Sequence, residues 1–299
     1  MVQEGRPRRG SLGFVRKRAS SVIPRIRRWP AGDGVLGFLG YKVGMVTAIV
    51  EPTHPNSPLK GAEVATPATV VEVPPLILRK IRTYRKTRYG SKIVSEGKKP
   101  EEGDFYRLVF ETQPKLAGLP KKRSELIEIG FGGDIDAVKP LTERIGKEFK
   151  VSEVFSPNEL IDVVGVTKGK GFSGVIKRFG VALMPHKTEK SRRKVGSLGS
   201  WTPSRTPWQV PMAGQLGYFL RTEYNKEILY IGNVSEFDIN PKSGWHRYGT
   251  VRSDFLLIKG SIPGPAKRPV KMRKAIRPLK GFHPNRLREV VAGNEVKRV

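Results

Sequence analysis

A mainly β fold, a barrel or sandwich body with basic extensions, is what three features of this 299-residue chain predict. Short runs of β-branched and aromatic residues recur between glycines and prolines, a pattern of strands and turns rather than helices. Helical periodicity is scarce, and its best instance, residues 135–145, is interrupted by Pro140, which has no N–H to donate. Charge is segregated: 56 Lys and Arg stand against 27 Asp and Glu, a net +29, and the excess collects in separate runs between the apolar segments. A hydrophobic fraction of 37% still suffices for a packed core, so the partner expected for the charge is a polyanion, nucleic acid.

Residues 1–33 form a basic N-terminal extension. Nine cations between residues 6 and 28, among them Arg6, Arg8, Arg9, Arg16, Lys17 and Arg18, meet no acid. Such a segment buries too little apolar surface to offset its chain entropy alone and orders beside phosphates; a solvated tail is the plainer alternative. Pro7, Pro24 and Pro30, with Gly10 and Gly13, break the amphipathic helix that an organelle transit peptide needs. Residues 34–78 begin the body, with strands expected at 38–50 and 68–73. The apolar stretch 35–50 holds Lys42 and three glycines and is too interrupted to cross a bilayer, so no membrane partner is expected.

Residues 79–150 are expected to be an inserted α+β domain. Nine cations between residues 79 and 99 face Glu96 alone, acids then become denser, and strands at 105–111 and 125–129 precede the helical candidate. Residues 151–170 return to the body through a strand at 160–167 and a glycine turn. Residues 171–215 form a loop, and residues 216–276 complete the body with strands at 216–224, 227–231 and 255–259. Residues 267–274 alternate apolar and basic side chains, which fits an edge strand with a charged face or a plain structural strand. Residues 277–299 are assigned to a basic C-terminal tail.

Gly169-Lys-Gly-Phe-Ser-Gly174 has the spacing of a dinucleotide-binding turn after an apolar run. That turn must open a helix facing a pyrophosphate and be followed by a returning strand; residues 175–190 hold Gly180 and Pro185 and leave room for neither. A phosphate-binding P-loop fails too, because three residues rather than four separate Gly165 from Gly169 and Lys170 is followed by Gly171. No cofactor is expected. Gly169, Gly171 and Gly174 instead let the chain turn sharply and approach another backbone, while Lys168, Lys170, Lys177 and Arg178 surround the turn with positive charge suited to a sugar-phosphate chain. A β-bulge with solvated lysines is the alternative for this segment alone.

Eleven cations between residues 168 and 221 face Glu189 alone. A loop of about forty residues with four prolines is functional or folds on a partner. Lys187, Arg192, Arg193, Lys194 and Arg205 can meet phosphates or stack their planes on bases, and Trp201, in Gly199-Ser-Trp-Thr-Pro203, lacks the apolar surroundings of a core residue and is assigned to RNA contact. Trp208 and Trp245 are assigned to packing, Trp29 to either role. His54, His186, His246 and His283 are scattered and no cysteine occurs, so no catalytic or metal-binding residues are assigned.

Phe155, Asp162, Gly165, Thr167, Gly169, Lys170, Gly171, Gly174 and Arg178 stand at the spacing of a family signature, that of the universal large-subunit ribosomal protein L three. "GSLGF" with "RKRAS", "FLGYKVGM", "VGSLGSWTPS", "MAGQLG" and "DFLLIKGSIPG" extend the resemblance, in its archaeal and eukaryotic form, along nearly the whole chain. The resemblance implies a six-stranded translation-factor-like β-barrel with an inserted domain and long extensions into RNA. It implies a non-enzymatic structural constituent of the large subunit, in the cytoplasmic ribosome, partnered by large-subunit rRNA and neighbouring ribosomal proteins and by no small-molecule substrate. Binding near the 3′ end of that RNA, nucleation of assembly, and a finger at 171–215 supporting the peptidyl transferase centre, with Trp201 at its tip, are further implications. Lys267 and Arg268 complete the expected RNA contacts. Lys177 before Phe179-Gly180 replaces a histidine of eukaryotic members, so no role of that histidine is carried over. A nucleic-acid-compacting basic protein is the rival reading; it would bind duplex DNA as well as folded RNA.

Overall fold

The computed structural model describes residues 17–98, 100–293 and 295–298. The described residues fall into two compact units, residues 17–21 with Thr167–Leu220, and residues 22–166 with those from Arg221 onward. In chain order the strands are β1 (Gly34–Val35), β2 (Gly37–Pro52), β3 (Val64–Glu72), β4 (Leu76–Thr87), β5 (Gly90–Gly97), β6 (Phe105–Glu111), β7 (Leu126–Gly132), β8 (Glu148–Phe149) and β9 (Leu160–Val166). They continue as β10 (Phe172–Ser173), β11 (Gly214–Gln215), β12 (Leu220–Gly232), β13 (Phe255–Lys259), β14 (Pro269–Lys274), β15 (Asn285–Ala292) and β16 (Glu295–Arg298). Among the described residues helix is confined to the single turns α1 (Ile135–Val138) and α2 (Val175–Phe179) and to two 3-10 turns. The protein is mainly β.

In the larger unit one sheet runs β14-β9-β12-β13-β3-β2-β15-β16, and β14 also pairs with β2, so six strands form a closed ring of pairings. The sixteen residues of β2 make this possible: Gly37–Tyr41 pair with β14, while Thr47–Pro52 pair with β15. Burial follows the pairing. Phe38, Leu39 and Tyr41 are buried in succession within the ring, whereas from Met45 exposed and buried residues alternate, as on a strand with one wet face. β9 is buried throughout. The second sheet has the order β1-β7-β6-β4-β5, with β8 also on β4. Both sheets feed one apolar cluster, which includes Phe38, Leu76, Phe110, Phe149, Phe155 and Phe255. Each such side chain contributes about 1.5–3 kcal/mol by leaving water.

Several elements depart from the sequence expectation. The helix at 135–145 is one α turn followed by the 3-10 turn Lys139–Thr142, where Pro140 sits at the start and its missing N–H costs nothing. The segments 216–224 and 227–231 are one strand, β12, continued through Asn225 at φ +53°. β4 and β5 occupy a stretch read only as charge, and β15 with β16 replaces the expected C-terminal tail, because Val290 and Ala292 are buried between exposed Arg286, Arg288 and Arg298. β14 is an inner strand rather than an edge, paired on both sides.

β14 therefore carries its charges inside. Arg273 contacts the fully buried Asp162 through Nε at 3.1 Å and Nη2 at 3.0 Å, and its Nη1 donates to the Arg28 carbonyl at 2.5 Å. Asp162 also accepts from the N–H groups of Asn225 and Ile276. Glu72, likewise buried, accepts from the N–H groups of Gly118, Arg252 and Ser253 and from the hydroxyls of Ser253 and Tyr248; burial and that carboxylate push the Tyr248 hydroxyl far up. Lys271 donates to the Glu128 carbonyl at 3.3 Å, and burial pulls its ammonium down to about 8 from 10.5, against the pull of Glu128.

A lysine whose folded-state pKa is depressed penalises the fold while charged, in full below about 8, and the penalty fades as pH rises toward the unfolded value. Denaturant unfolding from about pH 7.5 to about pH 9.5 is expected to show wild type gaining on Lys271→Met, by at most about 1.4 kcal/mol per pH unit. A difference that stays flat across that range would contradict a charged, desolvated Lys271.

Candidate nucleic-acid interface

The smaller unit is organised by a backbone stem. Thr167 N–H donates to the Phe219 carbonyl at 2.9 Å, Tyr218 N–H to Lys168 at 3.3 Å, Lys170 N–H to Leu216 at 2.9 Å and Leu216 N–H to Gly171 at 2.9 Å. The pairing continues into β10 and β11, Phe172 opposite Gln215 and Ser173 opposite Gly214. Gly171 is needed for its backbone, at φ +64°, in otherwise open space. The close approach occurs at Gly217, at φ +69°, where a Cβ would lie 2.0 Å from the Lys168 carbonyl. Sequence reasoning passed over Gly217, although it ends the quoted "MAGQLG". Gly169 lies along the stem and Gly174 caps α2 in extended conformation.

Not every cation of the segment is free to meet a ligand. Arg178, on α2, donates through Nε to the Gln215 carbonyl at 3.1 Å and through Nη1 to Met212 at 2.7 Å, with its guanidinium 5.1 Å from the Phe179 ring centre. It ties the helix to the returning chain. Arg192 closes residues 184–192 by donating to the Met184 carbonyl at 3.0 Å while Met184 N–H donates back at 3.1 Å. Lys194 reaches the Glu189 carbonyl at 3.4 Å but is exposed, as are Lys168, Lys170, Lys177, Lys187, Arg193 and Arg205. Lys17 is exposed, Arg18 stands 5.5 Å over the Tyr218 ring, and Ala19 N–H donates to the Tyr218 carbonyl. Arg6, Arg8, Arg9 and Arg16 lie outside the described residues.

Three aromatic side chains of this unit face solvent. Trp201 is 93% exposed. Trp208, assigned to packing from the sequence, is 73% exposed, because Pro207 and the polar residues around it offer nothing to bury it. Phe172 is exposed next to buried Ser173, a strand alternation too short to be seen in the sequence. Trp245 is buried against Gly44 and donates to Asn240 at 3.1 Å, and Trp29 packs over Gly37 and Gly130. Lys267 and Arg268 belong to the larger unit, in the turn before β14, where Lys267 is exposed at φ +68° and donates its N–H to the Lys42 carbonyl.

Ion pairs such as Arg144–Glu153 and Arg288–Glu51 neutralise cations in the larger unit. Thr167–Leu220 has ten cations and a single carboxylate, Glu189. Such a surface attracts polyanions and can stack exposed bases on its aromatics. Among the described residues no cluster of metal-ligating side chains occurs and no helix is long and apolar enough to cross a membrane.

The family model for Ribosomal protein L3 matches residues 1–102 and 98–293. The Large ribosomal subunit protein uL3 of Methanothermobacter thermautotrophicus is 44% identical over 315 residues, covering 93% of this chain and 94% of the relative. Its counterpart in Archaeoglobus fulgidus is 43% identical over 309 residues, with 92% and 93% covered, and that of Methanopyrus kandleri 42% over 314, with 92% and 87% covered.

Alanine at the stem glycines should rank by geometry. Gly217→Ala, with a steric clash and a left-handed φ, is expected to destabilise the stem by at least about 2 kcal/mol, Gly171→Ala by about 1 kcal/mol, and Gly174→Ala by less. Hydrogen exchange at the Lys170 and Leu216 amides reads that order, and equal effects at Gly217 and Gly174 would refute the stem.

Proposed function

Since the chain belongs to the ribosomal protein L3 family, we propose that it is a structural constituent of the large ribosomal subunit, binding large-subunit rRNA directly near its 3′ end and nucleating assembly. The observation that carries this is in the smaller unit, where Thr167–Leu220 holds ten cations and one carboxylate and Phe172, Trp201 and Trp208 stand in solvent. Phosphate neutralisation supplies affinity there, and stacking with shape supplies placement. Lys168, Lys170, Lys177, Lys187, Arg193, Lys194 and Arg205, with Trp201, face the RNA, and Lys17, Arg18, Lys267 and Arg268 add contacts. Arg178 and Arg192 serve by shaping the loop.

The protein works as a scaffold and not as an enzyme. Residues 171–215 act as a finger that supports the peptidyl transferase centre by holding nucleotides in place, while peptide-bond chemistry belongs to the RNA. The closed ring of six strand pairings supports reading the body as a translation-factor-like barrel, and the separate sheet of β4 to β8 supports an inserted domain at 79–150. Residues 1–33 form an RNA-bound extension. The location is the cytoplasmic ribosome, beside neighbouring ribosomal proteins.

Binding of the full chain to large-subunit rRNA is expected to weaken by ~10³–10⁵ between roughly 50 and 200 mM salt if about 6–10 phosphates are contacted. Equal affinity for duplex DNA would instead favour the compacting protein. Ribosomes carrying Trp201→Ala are expected to change in antibiotic sensitivity, tRNA binding or chemical probing at the peptidyl transferase centre; no change in all three would end the finger's supporting role.

A further inference from the structure

A cavity of about 630 Å³ in the larger unit is lined by the turn at residues 279–285, by residues 225–227 of β12 and by the end of β13. Its size is that of sites that enclose small molecules. The turn is fastened within the protein itself: the Thr53 hydroxyl donates to the Pro284 carbonyl at 2.6 Å, and the rings of His54 and His283 meet edge to face with centres 4.9 Å apart. Among the lining residues Glu227 is buried, and it accepts from both the N–H and the side-chain amide of Asn285. The same carboxylate holds the Lys259 ammonium at 3.4 Å. Lys280 is exposed and has no hydrogen bond or ion pair among the described residues. Gly281, at φ +67°, separates it from Phe282, which is partly buried.

We propose that this cavity takes one unpaired nucleotide, its base against the rings of Phe282 and the two histidines and its phosphate on Lys280 and Lys259. Every nucleobase has a π-face that stacks on aromatic side chains, and its phosphate is an anion joined to it through the sugar. The cavity offers both partners in one turn, since only Gly281 stands between the free cation and the ring. The rest of the lining suits a base better than a simple anion. Asn225 and Lys259 present donors and Glu227 an acceptor, a mixed set that the hydrogen-bonding edge of a base answers in kind, whereas a phosphate or carboxylate brings acceptors alone. An RNA strand and a free nucleotide share this chemistry, and the test separates them. The inference does not rest on the RNA-binding role of the smaller unit, to which no lining residue belongs.

The test mixes the full-length protein with adenosine monophosphate, inorganic phosphate, a single-stranded RNA hexamer or a tripeptide of phenylalanine between two glutamates, and follows amide exchange at residues 279–285. Adenosine monophosphate is expected to slow exchange there, and inorganic phosphate at the same concentration is not. Lys280→Glu is expected to weaken the effect at least about tenfold, the loss of a charge-assisted contact, and Phe282→Leu at least about fivefold, the loss of a stacked ring. Without ligand, exchange in β12 and β13 stays native in both variants. Slowing by the hexamer at lower concentration than by the mononucleotide assigns the cavity to an RNA strand, and the reverse assigns it to a free nucleotide; either supports the proposal. No slowing at residues 279–285 by mononucleotide or hexamer, equal slowing by inorganic phosphate, stronger slowing by the tripeptide, or variants that bind like wild type would each overturn it.

Discussion

Unbalanced positive charge is the constraint that the rest of this structure answers. A chain of net +29 can form a compact state only if its cations are compensated or kept apart. The two units divide the problem unequally. Residues 17–21 with 167–220 hold twelve cations and one acid, so more than a third of the excess lies in about a fifth of the chain. The larger unit keeps 25 of the 27 acids and sets them against its own cations, from β4 and β6 to β7 in Arg82–Glu128 and Arg107–Glu128, and between β2 and β15 in Arg288–Glu51. Folding and polyanion binding are thereby assigned to different stretches of sequence.

Charge also enters the core, and there the rules change. Burying Asp162 and Arg273 removes both from water, a cost their attraction offsets only when every remaining polar group is satisfied. The pair meets that condition: Asn225 and Ile276 donate to the carboxylate and Arg28 accepts from the guanidinium. Because those partners lie on separate segments of the larger unit, the pair specifies how β9, β12, β14 and residue 28 come together more than it adds net stability. Glu72 works similarly without a cation, gathering residues 248–253 around backbone N–H donors.

Strands whose apolar residues dominate were legible in the sequence: 105–111 and 255–259 match β6 and β13 to the residue, and the strand at 160–167 overruns β9 by one. Strands whose outward faces are basic were not. In β4, Leu76, Leu78, Ile81 and Tyr84 are buried, but a bulge at Leu78/Lys80 breaks the period of two, and five cations on the strand masked what remained. β15 and β16 disappeared into a supposed tail for the same reason. The cationic character of the loop was legible from composition alone, whereas the commitment of Arg178 and Arg192 to backbone carbonyls was not, since only the folded chain shows which carbonyls they reach. Gly217 shows the limit most clearly: its need arises from the Lys168 carbonyl, 49 residues away in sequence.

The basic loop is also less dependent on a partner for its conformation than its composition implies. A segment poor in apolar residues was expected to order only beside a polyanion, yet its stem is closed by backbone hydrogen bonds, α2 is tied down by Arg178, and residues 184–192 are closed by Arg192. Each of these restraints fixes part of the chain before any phosphate is met, so less conformational entropy is lost when RNA binds. What remains unfilled is consistent with that division of labour. The exposed lysines, Arg193, Arg205 and the solvent-facing rings of Trp201, Trp208 and Phe172 are groups whose interactions RNA can supply, whereas Arg178 and Arg192 are already committed to backbone carbonyls.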